Sequence, residues 1–214
     1  MSSRLSFWDR LRENQRDALV AGARTARYKK GVQLADAGED CGVIIVKRGR
    51  ICAIAVSEEG REVALLCYYS GDICLLAAHA FIDTAAFNIS ISAETEADVM
   101  IIDTKTFSDV CKSCIHAEAF VRRLISDHFS HVVGNIHHML IHSPERRIAA
   151  YLCSAAERTG TGKIKATHEQ IAKHVGTARE VVTRTLKKMT AEGMILSERG
   201  FVVIKDKAAL KKLV

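Results

Sequence analysis

The stretch THEQIAKHVGTAREVVTRTLKKMT (Thr167–Thr190) decides how the chain is read. Thr167 and Gln170 stand at the spacing of a capping box, in which each side chain satisfies the other residue's backbone N–H at a helix start. Ile171, Ala172 and Val175 then form one apolar stripe. Gly176 ends that helix where positive φ is cheap, and Thr177 is placed to cap a second helix, Ala178–Glu192. In the second helix Val181, Val182, Leu186 and Met189 point inward, while Arg179, Glu180, Thr183, Arg184 and Lys187 point outward. Arginine grips guanine O6 and N7 together, and glutamate accepts from cytosine N4. These side chains occupy the first two turns, the part of a recognition helix that enters the major groove. Lys187, Lys188 and His168 are placed to hold phosphates, with Thr167, Thr177 and Thr183 nearby. Gly193 ends the helix, and Met194–Ser197 and Phe201–Ile204 flank Glu198-Arg199-Gly200 as a small hairpin or wing.

Charge supports a polyanion partner for this end. The 214 residues carry a net charge of +6, but from Ser143 onward there are 15 Lys/Arg against 7 Asp/Glu, whereas the first 142 residues hold 16 against 18. Apolar residues make up 48%, which excludes global disorder. No stretch approaches the roughly 20 apolar residues of a membrane span, and Arg4, Asp9, Arg10 and Arg12 break up the start of the chain, so a cytoplasmic protein is expected. In such a setting the seven cysteines are expected as buried thiols rather than a disulfide framework.

Upstream, residues 31–105 read as short strands: Val43–Val46, Ile51–Val56, Val63–Tyr69, Asn88–Ile91 and Val99–Ile102, separated by Gly49, Ser57–Gly60 and Ser70-Gly71-Asp72. Strands at this spacing indicate an all-β roll or sandwich. From about His116 to His142 the period becomes helical. Ile125, Phe129, Val132, Ile136 and Met139 are spaced four, three, four, three, a seam for packing on a partner helix. Ser143-Pro144 suits an N-cap and first turn, so a new helix, Glu145–Glu157, starts there.

The motifs Lys30-Gly31, Ala37-Gly38-Glu39-Asp40, Val46-Lys47-Arg48-Gly49, Glu58-Glu59-Gly60-Arg61-Glu62, Ser70-Gly71-Asp72 and Arg147-Ile148-Ala149, with the helix-turn-helix, make the chain resemble the CRP/FNR family of bacterial regulators over nearly its whole length. The resemblance implies an α+β protein: a cyclic-nucleotide-binding-like β-roll (1–115), a long dimerisation helix (116–142) and a winged helix-turn-helix (143–214). It also implies a homodimer on double-stranded DNA that works with RNA polymerase, and no enzymatic activity. The Arg-Glu-x-x-x-Arg of the cyclic-AMP receptor branch falls on Arg179, Glu180 and Arg184, which implies TGTGA-like half-sites.

The sensing end departs from that branch. Cyclic-nucleotide readers hold sugar and phosphate with Glu and Arg after the Gly-Asp turn, but the only charged residue in Ile73–Ala93 is Asp83. The pocket candidates are Leu75, Leu76, His79 and Phe81, together with His131 and Val132 on the long helix. The expected effector is a small molecule or redox change other than cyclic AMP. Cys74 and His79 resemble, at wider spacing, the haem ligands of the carbon-monoxide-sensing branch; a buried thiol and a core histidine are the alternative. The first cysteine, Cys41, lies too far inside the roll for the iron–sulfur branch. Cys111 and Cys114 are either a redox dithiol or two unrelated thiols near a helix start. His128, His131, Asn135, His138 and His142 form a stripe beside the seam, which is a metal or haem site across the dimer, a pH sensor or a polar flank. A metal-dependent hydrolase built on these histidines is the rival class, although no HExxH motif is present.

Overall fold

Short β-branched strands that bury every second side chain build the N-terminal part. Residues 4–35, 40–57, 60, 62–75 and 89–214 are described in this computed structural model. The chain divides into one unit of Met1–Arg61 and Leu65–Val132 and another of Glu62–Ala64 and Val133–Val214. In the first, β1 (Ala23–Tyr28), β2 (Gln33–Ala35), β3 (Val43–Arg48), β4 (Ile51–Val56), β5 (Glu62–Tyr68), β6 (Ile73–Cys74), β7 (Ile89–Ala93) and β8 (Ala97–Ile102) form two four-stranded sheets. Their orders are β1-β8-β3-β6 and β2-β7-β4-β5. Ile44, Val46, Val99 and Ile101 of one sheet share a buried cluster with Ile51, Ala53, Leu66, Tyr68 and Ile91 of the other, which makes the expected roll. Gly49 turns β3 into β4 at φ 86°, and a Cβ there would collide with the Glu96 carbonyl, so only glycine fits.

A second cluster lies on the outer face of the first sheet. Val43, Ile45 and Ile102 meet Phe7, Leu19 of α1 (Glu13–Ala21), Phe107 of α2 (Thr104–Ser113) and Val121 of α3 (Ile115–Ile141). The α3 range agrees with the expected 116–142 helix to one residue at each end. In contrast, α1 and β1 carry little sequence signal. β1 is Ala-Arg-Thr-Ala-Arg-Tyr on the edge of its sheet, where charged residues are tolerated because one side meets water.

In the second unit, α4 (Pro144–Thr159) starts as expected, with the Ser143 hydroxyl accepting from the Arg146 N–H at 3.3 Å. It is followed by β9 (Lys163–Lys165), α5 (His168–Val175), α6 (Arg179–Ala191), β10 (Ile195–Glu198), β11 (Phe201–Ile204) and α7 (Lys207–Lys212). The strands form one sheet, β10-β11-β9. Ile148, Leu152, Ile171, Val182, Leu186, Met189, Val202 and Leu210 share a single core.

Three expectations need correction. Cys52 and Cys67 are joined as a disulfide, with Cα atoms 4.2 Å apart on neighbouring strands β4 and β5. Their separation of 15 residues did not reveal that they face each other. Three of the five residues expected along the long-helix seam are also partly covered by their own chain, while Phe129 and Ile136 are exposed. Ile125, Val132 and Met139 are half-buried within their own chain, against the two clusters of the roll unit and against Gly176 respectively. The exposed apolar stripe is Phe129 (70%), Val133 (46%), Ile136 (45%) and Leu140 (78%), again at four-three-four spacing. Two adjacent seams satisfy that spacing on one helix, and burial by the rest of the chain separates them. Finally, Thr177 does not cap α6. The cap position falls on Ala178, which has no side chain to accept a hydrogen bond, while the Thr177 N–H is held by the Ala172 carbonyl.

Candidate nucleic-acid interface

The local rules that made the turn legible hold it together. The Thr167 hydroxyl accepts from the Gln170 N–H at 3.2 Å, and Gln170 Oε1 accepts from the Thr167 N–H at 3.0 Å. Gly176 sits in the left-handed region at φ 63°, ψ 49°, with its N–H on the Ala172 carbonyl. From α4, the Arg147 guanidinium donates to the carbonyls of Val175 and Gly176, the latter at 3.2 Å. A cation on the last carbonyls of α5 satisfies orphan acceptors and complements the helix dipole. Burial lowers the Arg147 pKa from its ordinary value.

Val182, Leu186 and Met189 anchor the inner side of α6 in the core, and Val181 is half-buried. Arg179, Glu180, Arg184 and Lys187 are exposed, and among the described residues no ion pair engages them. Thr183 is half-buried beside them, its hydroxyl donating to the Arg179 carbonyl at 3.0 Å. Thr167 is exposed at the start of α5 and Thr177 half-buried in the turn.

Two expected phosphate ligands have other partners. Lys188 Nζ lies 3.0 Å from the Glu145 carboxylate of α4, which raises its pKa through hydrogen bonding and charge. His168 Nδ1 lies 2.9 Å from the Thr183 hydroxyl and Nε2 lies 3.5 Å from the Ser197 hydroxyl. Because the Thr183 proton goes to Arg179, the imidazole donates from Nδ1, an assignment made from the hydrogen-bond pattern. His168 therefore braces α5 against α6 and the wing.

In the roll, Leu76, His79 and Phe81 lie outside the described residues. Leu75 and Cys74 are fully buried, in different clusters. His131 is exposed, and Val132 packs on the roll interior. The histidine stripe is divided. His128 is buried edge-on to Tyr68, with ring centroids 5.4 Å apart, whereas His131, Asn135 and His138 are exposed and His142 half-buried. His138 and His142 still lie side by side, with centroids 5.0 Å apart. Tyr68 Oη and His128 Nδ1 are buried without a hydrogen-bond partner among the described residues. Burial lowers the His128 pKa, and the Ile73 backbone, His131, Asp127 and Asp72 act on it in smaller measure. Burial raises the Tyr68 pKa, reinforced by Cys74. Sequence reading passed over Tyr68 and gave His128 no role apart from the stripe. The available signal was that Val121, Ile125, His128 and Val132 share one four-three-four face, with histidine in an apolar place.

Cys111 is near the end of α2, and Cys114 is its C-cap and precedes α3. Both are buried, and burial beside Cys114 and Glu118 pushes the Cys111 thiol up to about 12. A thiol held protonated is a poor nucleophile, which speaks against Cys111 as the attacking thiol of a redox pair.

A two-sheet roll leading through a long helix into a winged helix-turn-helix defines a class: regulators that couple a sensor to a DNA-binding module. The model for the Crp-like helix-turn-helix domain matches residues 146–213. A solved transcriptional regulator described as of the CRP/FNR family, from Eubacterium rectale, is 30% identical, with 99% of each chain covered and a TM-score of 0.91. This chain belongs to the CRP/FNR family of transcriptional regulators. The curated transcriptional regulator SdrP of Thermus thermophilus is 39% identical over 59 residues, which span 28% of this chain and 29% of that protein. CooA from Carboxydothermus hydrogenoformans shares the fold, at TM-score 0.70 and 20% identity over 99% of this chain and 96% of that one. These relatives are regulators, and the hydrolase reading of the histidines is set aside. Among the described residues, no helix is long and apolar enough to cross a membrane.

Proposed function

We propose that the chain is a dimeric, sequence-specific DNA-binding regulator whose Arg179, Glu180 and Arg184 read TGTGA-like half-sites of a palindrome. The observation that carries this reading is the outer face of α6. Its charged side chains are exposed and outside any ion pair among the described residues, while the helix itself is fixed by its buried face and the braced turn. Groups held by a rigid scaffold lose little freedom on binding, which favours base discrimination over loose charge attraction. Lys187 and the threonines 167, 177 and 183 contact phosphates, with Lys188 doing so only on leaving Glu145. The exposed stripe Phe129, Val133, Ile136 and Leu140 is the dimer seam, since knobs at this spacing pack into a second copy of the same helix. RNA polymerase is the partner through which DNA occupancy changes transcription.

The effector acts on the roll and is not a cyclic nucleotide. Ile73–Ala93 contains no Arg or Lys to neutralise a phosphodiester, and Ile73, Cys74 and Leu75 are buried and apolar in surroundings. Cys74 lies beside the Tyr68 hydroxyl in the packed roll interior. The central test is Arg179→Ala in gel shifts on a TGTGA palindrome and on a copy altered at the contacted guanine. Affinity for the palindrome should fall by about 1–3 kcal/mol and discrimination at that base should relax. Unchanged affinity and selectivity would remove Arg179 from the base-reading set.

A further inference from the structure

We propose that the Cys52–Cys67 bond is a reversible thiol-exchange site, opened by low-molecular-weight thiols at Cys67, and that α3 feels its opening through the Tyr68–His128 contact. The bond ties neighbouring strands β4 and β5 on the face turned away from the roll interior. Ile51 and Ala53 flank Cys52, Leu66 and Tyr68 flank Cys67, and all four flanking residues point into the interior cluster. The two residues are unequally exposed: Cys52 is buried and Cys67 is half-buried. An attacking thiolate therefore reaches Cys67 Sγ, and Cys52 is the leaving group. Cys52 Sγ lies 3.0 Å from Glu94 Oε2, and Glu94 is paired with Arg50 at 3.1 Å. Once protonated, the released Cys52 thiol has an acceptor already in place.

The exchange balances without any group beyond the thiol. An external thiol ionises, its sulfur bonds to Cys67, and Cys52 departs as a thiolate that takes up the released proton. A second thiolate attacks the external sulfur of the mixed disulfide, frees the symmetrical external disulfide, and leaves Cys67 to be protonated. Two electrons and two protons pass from two thiols to the protein, and an external disulfide reverses the sequence.

The relay is one residue long. Tyr68 follows Cys67 on β5, points the opposite way, and rests edge-on against His128 of α3. His128 Nδ1 has no hydrogen-bond partner among the described residues and the Tyr68 hydroxyl meets only the Cys74 thiol, so the contact between the two rings is packing rather than a hydrogen bond. Untying β4 from β5 lets β5 move relative to its neighbour, and the aromatic contact passes that movement to α3, which runs unbroken to Ile141. Any effect on DNA rests on the function proposed above; the exchange and its effect on α3 do not.

The full-length protein is equilibrated across reduced and oxidised glutathione mixtures. Alkylation and intact mass give the fraction of the Cys52–Cys67 bond, and amide hydrogen exchange is followed in peptides covering 62–70 and 121–132. The expected result is a bond that opens and recloses within the series, with exchange in both peptides rising several-fold on opening. Cys67→Ser should hold the open-state exchange in every mixture, whereas Cys111→Ser should respond like the unaltered protein. A bond that stays closed at the reducing end, one that never forms, or opening without a change in 121–132 would each overturn the proposal, and the unaltered protein alone decides these. DNA affinity measured in parallel separates the two readings: no binding in either redox state removes the proposed function, while the exchange data still decide this one.

Discussion

The two units differ in how their inward-turned polar groups are held. In the winged-helix unit, half-buried Arg147 directs Nη1 at the carbonyls that end α5 while its Nε has no partner among the described residues, and half-buried His168 spans three elements through both ring nitrogens. In the roll, Tyr68 brings in a hydroxyl that meets only the Cys74 thiol, and His128 brings in a ring nitrogen, Nδ1, with no partner among the described residues. Partnered groups fix one geometry, whereas unpartnered ones leave the arrangement free to change when a proton, a ligand or a neighbouring bond changes.

The contrast can be attacked at several points. The largest effect is expected in the rigid unit, where Leu186 is 1% exposed at the centre of the core. Leu186→Ala should cost about 2–5 kcal/mol in chemical denaturation, through lost transfer energy and the cavity left behind. A loss below about 1 kcal/mol would show that this unit is looser than described. A sharper test sets Arg147→Met against Tyr68→Phe. The first removes charge-assisted bonds and should destabilise by about 1.5–3 kcal/mol. The second deletes a buried hydroxyl whose polar neighbour is the Cys74 thiol, a weak partner, so stability should stay within about 0.5 kcal/mol or rise. Equal losses in the two variants would erase the distinction between the units.

The smallest effect concerns pH. His128 is kept neutral by burial, so its folded pKa lies below the ordinary 6.5. The unfolded chain takes up the proton first as pH falls, so the stability contribution is present above 6.5 and is lost between 6.5 and the lowered folded value. Tyr68, Cys74, His131, Asp72 and Asp127 are the groups acting at this site. Denaturation midpoints of the unaltered protein and of His128→Leu, measured from pH 7.5 to 5, should diverge by no more than about 1.4 kcal/mol per pH unit, the limit for one proton. Parallel curves would show that the imidazole is not buried uncharged.

The helix-turn-helix was legible because its signals are local. A capping box, a left-handed glycine and an inward stripe lie within two dozen residues of sequence. The α3 limits followed for the same reason, from a long glycine-poor run. The features that escaped depend on register between distant strands or on which side of a helix its own chain covers. Cys52 and Cys67 look like any two thiols until β4 and β5 are paired. Ile125, Val132 and Met139 fit a partner-facing seam as well as Phe129, Val133, Ile136 and Leu140 do until burial within the chain separates the sets. Thr177 missed its cap by one residue because the turn runs on to Ala178. The pocket candidates Leu76, His79 and Phe81 fall outside the described residues, so that part of the effector reading still stands on sequence.

The unbroken run of α3 makes it a lever as well as a surface. From His128 to Ile141 the helix extends about 20 Å. A tilt of a few degrees over that length corresponds to more than an ångström of displacement between the two ends of the stretch. Gly134 is the only glycine along that lever, and nothing within 4 Å would meet a Cβ there. An alanine at Gly134 would therefore stiffen this stretch of helix without touching either end.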